Sequence, residues 1–173
     1  MKRLGVVVAL GALLGMFAGV LTASPALARG PKWELQPKAP VSTLPAALCG
    51  FEVQVTVLVN REFAKTLKTS DGSMILLLSG SVTASYTNLE TGKTITENIS
   101  GPSKTTIFPD GSYTTVEKGR NELHLAPADA ARFGLPTVSV TVGARSASFA
   151  PDGSVLSLSL NGHVAVDVCA ELS

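Results

Sequence analysis

Two cysteines and two histidines are all that this 173-residue chain contains, and their scarcity narrows the chemistry at once. No CxxC pair occurs, so neither a catalytic dithiol nor a zinc ribbon is expected. There is no HExxH, no GxSxG elbow and no Walker loop. Charge is also sparse and nearly balanced, with 14 Lys and Arg against 13 Asp and Glu. A phosphate-neutralising surface needs concentrated Lys and Arg, so nucleic acid is not expected as a partner. Aromatic residues make up only 5% of the chain, with a single tryptophan, Trp33.

Long apolar runs are missing as well, save one. Leu4–Leu21 is apolar, follows Lys2 and Arg3, and leads into PALA at 25–28. Basic, apolar and small-residue regions in that order predict a secretory signal peptide over 1–28. The alternative is an uncleaved anchor, because eighteen apolar residues nearly reach the length of a membrane span. Cleavage after Ala28 leaves 29–173 with no second run of that length and no lipid-accepting cysteine at its start. The localisation expected is therefore secreted, extracellular or loosely associated with the cell envelope, with no stable membrane span after cleavage. Cys49 and Cys169 both fall in the exported part, where a disulfide is chemically permitted, and two cysteines allow one intramolecular pairing.

Residues 29–48 carry Pro31, Pro37, Pro40 and Pro45. Prolines at that density predict a flexible arm without regular hydrogen bonding, ahead of one β domain over 49–173. From Phe51 the pattern changes to period two. Phe51, Val53, Val55, Val57 and Val59 alternate with Glu52, Gln54 and Thr56, as in a strand with one buried face. Met74–Asn88 is too long for one flat strand, and Gly80 is expected to bend it. Threonine-rich segments flank PDGS at 109–112, and serine-rich ones follow Pro136. PADAARFG at 127–134 is the one helical piece, with Pro127 to start it and Gly134 to end it. Asn161-Gly162 reads as a two-residue hairpin turn. The sum is an all-β domain, an antiparallel meander of about eight strands with one short helix. Short connections forbid parallel crossovers, but a closed barrel and a two-layer sandwich both remain open. The parity of Cys169 disagrees with its strand's apolar face, which requires a bulge there or a bridge beyond the strand ends.

The stretches CGFEVQV, NLETGKTITENISGP, GRNELHL and the terminal VDVCAEL, with the DGS and PDG turns, resemble small exported proteins of high-GC Gram-positive bacteria (actinobacteria) over about 49–171. The resemblance implies an exported all-β domain and carries over no catalytic residue.

DGS occurs three times, at 71–73, 110–112 and 152–154. A calcium loop needs several oxygen ligands at close spacing, and each copy offers one carboxylate. Turns are expected instead, with Asp bonding ahead and Gly taking the left-handed position. Glu122 and His124 lie on one face of a strand, and His163 and Asp167 on one face of another. Neither pair is a metal site without neighbouring strands and a third ligand. No catalytic, cofactor or metal residue is therefore assigned. Trp33, His124 and His163 stand as candidates for ligand contact. The function expected is a secreted, non-catalytic binding or envelope-associated module, whose partner is an envelope component, an extracellular protein or a small molecule. Two alternatives are a small-molecule barrel, either carrier or isomerase-like enzyme, and a protease inhibitor presenting a rigid loop near 101–112.

Overall fold

Period-two patterning becomes a single nine-stranded antiparallel sheet in the computed structural model, which describes residues 30–173. The expected signal peptide, 1–28, lies outside the described residues. The strands are β1 (Glu34–Leu35), β2 (Val41–Leu44), β3 (Val53–Lys68), β4 (Met74–Asn88), β5 (Thr94–Asn98), β6 (Ser103–Ile107), β7 (Tyr113–His124), β8 (Val138–Phe149) and β9 (Val155–Asp167). Three short helices complete the fold: α1 (Ala46–Cys49), α2 (Pro127–Phe133) and α3 (Val168–Leu172). Pairing runs β1–β3–β4–β6–β7–β8–β9, with β2 also on β3 and β5 also on β4. β9 does not return to pair with β3, so the sheet is open and the barrel alternative fails.

Glycine divides the long strands into two halves. Gly119, Gly143 and Gly162 stand directly opposite one another across β7, β8 and β9, and Gly80 on β4 stands opposite Glu62 on β3. At Gly80, Gly143 and Gly162 backbones approach too closely for a side chain. A β-carbon on Gly162 would lie 1.9 Å from the carbonyl oxygen of Val142, and one on Gly80 would lie 2.0 Å from that of Arg61. Below this row, towards the disulfide, the strands face each other as two layers. Val53 and Val55 of β3, Ala84 and Tyr86 of β4, and Val138 and Val140 of β8 are buried together with Val168 and Leu172 of α3. A smaller cluster joins Leu123 and Leu125 to Ala130 of α2. Above the row, towards the DGS turns, far fewer residues are buried, and Phe63, Met74, Val116 and Leu156 are exposed.

The three DGS turns sit at the same end and share one construction. Ser73, Ser112 and Ser154 each donate a backbone N–H to the aspartate two residues earlier, at 3.1, 2.9 and 2.9 Å. The glycines between them have φ of 87°, 86° and 84°. Hydrogen bonds, led by the Thr69 hydroxyl at Asp71, the Ser112 hydroxyl at Asp110 and the Ser154 N–H at Asp152, hold these carboxyls below the ordinary aspartate range. The spacing of the copies thus records strand lengths. Asn161-Gly162 is a different matter. The expected hairpin does not form, because Gly162 belongs to the close-packed row inside β9.

At the other end a disulfide joins Cys49 of α1 to Cys169 of α3, with Cα atoms 5.1 Å apart. Both lie past the strand ends, which resolves the parity conflict. The proline-rich segment is not an unpaired arm. Glu34 and Leu35 pair with Ala64 and Phe63, and Val41–Leu44 pair with Val53–Thr56. Its prolines fall outside those paired residues, where no ladder N–H is needed.

Candidate binding trough beneath Trp33

The pairing of Leu35 with Phe63 places Trp33 over the upper half of the sheet. The indole is 47% exposed and lies between two depressions. One, of about 370 Å³, is lined by Leu77 and Leu78 of β4, Lys104 of β6, Val116 and Lys118 of β7, and Pro102. The other, of about 510 Å³, is lined by Arg61 and Phe63 of β3 with Ser79 and Gly80 of β4. Both include Trp33 and Ser79, so they form one shallow trough with the indole across it. Register builds its floor: Leu77, Lys104 and Val116 stand opposite one another on three adjacent strands, and Lys65 of β3 continues the row beyond it. Cross-strand neighbours share a face, so this row alternates cation and apolar side chain. The volumes fall within the range of roughly 300–1,000 Å³ typical of ligand sites.

Trp33 is thus the one sequence candidate placed at this trough. The others lie elsewhere. His124 joins a polar bridge between the two layers. Tyr86 donates its hydroxyl proton to Glu122 Oε1 at 2.6 Å, and His124 Nε2 lies 2.9 Å from the same oxygen. Burial, then the nearby Glu122 and Glu97 carboxylates, push the Tyr86 phenol well above its ordinary range. Burial alone would raise Glu122, but hydrogen bonding and charge at His124, the Tyr86 hydroxyl and the Lys38 charge together hold it below the usual glutamate value. Tyr86 is fully buried, so the arrangement ties β4 to β7 and presents no nucleophile. Its sign in pH is fixed. A lowered folded pKa means that the Glu122 contribution is complete above the ordinary value near 4.5 and lost as pH falls through the lowered one. We expect Glu122→Gln to flatten the acid limb of a stability–pH curve read by urea unfolding; an unchanged limb would remove Glu122 from that role.

His163 is exposed on β9 opposite Val142, while His124 is opposite Val138. They flank β8 four positions apart, or about 13 Å along the strand, and do not converge. No group of three potential metal ligands occurs among the described residues. Beside Glu122 and His124, an apolar hollow of about 200 Å³ is lined by Tyr113, Phe149 and Leu158 with the Arg145–Glu117 ion pair. It falls short of a typical ligand volume. Within 101–112, expected as an exposed loop under the inhibitor reading, Ser103–Ile107 form strand β6.

Sequence reasoning singled out Trp33 because an exposed indole costs hydration. It missed Phe63, Leu77, Lys104, Val116 and Lys118, which only register brings together. Among the described residues no helix is long and apolar enough to cross a membrane. Comparison with protein families, curated proteins and solved structures returns no match. The fold and its trough therefore define the class: an open, disulfide-linked, all-β sheet with one apolar face partly strapped by a tryptophan.

Proposed function

We propose that this protein is an exported, non-catalytic binding module, and that its ligand occupies the trough beneath Trp33. The observation that carries the reading is the trough itself, apolar on a sheet face with few buried residues, and crossed by a large ring held by two short strand pairings. Export is supported by the charged, apolar and small-residue order of 1–28 and by a disulfide. The resemblance to small exported actinobacterial proteins points the same way.

The test uses the neutral, apolar fluorophore N-phenyl-1-naphthylamine. Trp33 is the only tryptophan, so energy transfer from it to the bound probe reports this site. Saturable transfer is expected, with binding weakened about tenfold or more by Val116→Asp, which places a charge in the apolar floor at an exposed position. Saturable binding that Val116→Asp leaves intact would place the ligand elsewhere. Export is checked separately: fractionation with N-terminal sequencing should find a soluble chain beginning near Arg29.

A further inference from the structure

The trough has a charge pattern that its apolar lining does not explain. Three of its lining residues are cations: Arg61 on one side of Trp33, and Lys104 and Lys118 on the other. None of its lining residues is an acid. Glu62 and Glu117, the chain neighbours of Arg61 and Lys118, are already engaged, as is Glu97. Glu62 lies 2.9 Å from Lys38, Glu97 pairs with Arg120, and Glu117 pairs with Arg145. Among the described residues Arg61, Lys104 and Lys118 make no ion pair, and all three are exposed. Lys65, in the same cross-strand row as Lys104, also makes none. The exported chain as a whole carries no basic excess, since without Lys2 and Arg3 twelve basic residues face thirteen acidic ones. Among the described residues seven Lys and Arg side chains make no ion pair, and three of them line the apolar trough, which has no acid among its lining residues.

From this pattern we infer that the trough takes a monomeric anionic amphiphile: an acyl chain laid over Leu77 and Val116 beneath the Trp33 ring, with a carboxylate or phosphate head held by Lys104 and Lys118. The inference rests on the trough being the ligand site and adds the ligand's chemical class. Apolar contact supplies the non-directional part of binding, as burial of methylene groups does generally. The lysines supply discrimination, because charge-assisted contacts distinguish an anionic head from a neutral one of the same tail. An open trough suits a flexible chain, which can slide in from either end under a single crossing ring. No co-reactant or bond change is involved.

The experiment compares ligands that share one tail. Decanoate and decan-1-ol, each below its aggregation limit, are titrated into the full exported chain while Trp33 fluorescence is followed. Decanoate is expected to bind saturably, about tenfold or more tighter than the alcohol. The Lys104→Gln, Lys118→Gln double variant should bind decanoate and decan-1-ol equally, with an unchanged circular dichroism spectrum. The preference should also shrink as salt rises, because both lysines are exposed. Equal binding of acid and alcohol, or a preference untouched by the double variant, would overturn the anionic class and leave the trough standing as an apolar site. If neither decanoate nor the naphthylamine binds at Trp33, both this inference and the proposed site fall. A Trp33 shift with phosphatidylglycerol vesicles but none with monomeric decanoate would replace the soluble ligand by a membrane surface and overturn the proposal.

Discussion

Removing the disulfide with Cys49→Ser and Cys169→Ser is expected to cost about 2–5 kcal/mol, the upper end being the chain-entropy figure for a loop of this length. The closed loop spans 120 residues, so the unfolded chain gains much freedom when it is cut. The bridge also ties α1 to α3 directly over the main core, where Leu48, Cys49 and Cys169 lie against Val53, Val138 and Leu172. A second tie sits beside it, with Thr137 donating its hydroxyl to the Leu48 carbonyl at 2.5 Å. For a domain of this size the loss corresponds to a fall in Tm of roughly 7–16 °C. Calorimetry of the wild type with and without reductant, and of the double variant, measures it. A loss below about 1 kcal/mol would show that helix docking holds the two ends together without covalent help.

Gly162→Ala should be among the most damaging single methyl additions at the described residues. Its β-carbon would lie 1.9 Å from the Val142 carbonyl oxygen and 2.9 Å from Gly143 Cα, and both are backbone atoms that no rotamer change can remove. Relief requires β8 and β9 to part at the glycine row, breaking ladder hydrogen bonds on either side. The expected cost is at least about 3 kcal/mol, the severe end of overpacking, out of a total of about 5–15 kcal/mol for a typical domain. Two comparison variants separate cause from context. Gly30→Ala meets nothing within 4 Å and should be neutral. Gly134→Ala also meets nothing, but its φ of 65° should cost about 1 kcal/mol through backbone strain alone. Urea unfolding ranks the three; a Gly162→Ala protein as stable as Gly30→Ala would show that the row is not a close contact.

Much of this architecture was legible along the chain. DGS announced three turns because its aspartate, glycine and serine complete the turn by local bonds, with no help from distant residues. Cys49 and Cys169 announced their bridge by having no other partner. The same kind of local reasoning failed at Asn161-Gly162. Two residues that favour a hairpin were recruited by an approach of neighbouring backbones that no local window contains. It failed too over residues 30–48, where proline density argued against pairing and the spacing of the prolines allowed it. The trough was the least visible feature. Trp33, Phe63, Leu77, Lys104 and Val116 come from five separate strands or segments, and all but Trp33 read alone as ordinary surface residues.

The glycine row has a consequence for how the molecule can change over time. β3, β4, β7, β8 and β9 each pass through both halves, yet buried side chains are concentrated on the disulfide side of the row. Amide exchange should accordingly be graded along single strands, slow at Val53–Val55 and Val138–Val140, faster at Phe63–Lys68 and Val155–Leu160. Substitutions in the fast-exchanging half disturb little that the other half depends on. A sheet creased in this way can rewrite its recognition surface residue by residue while one invariant foundation keeps it folded. Insertions face the opposite rule: one residue added between the row and a DGS turn would reverse the facing of every side chain between them, so strands of this kind should lengthen in pairs or not at all.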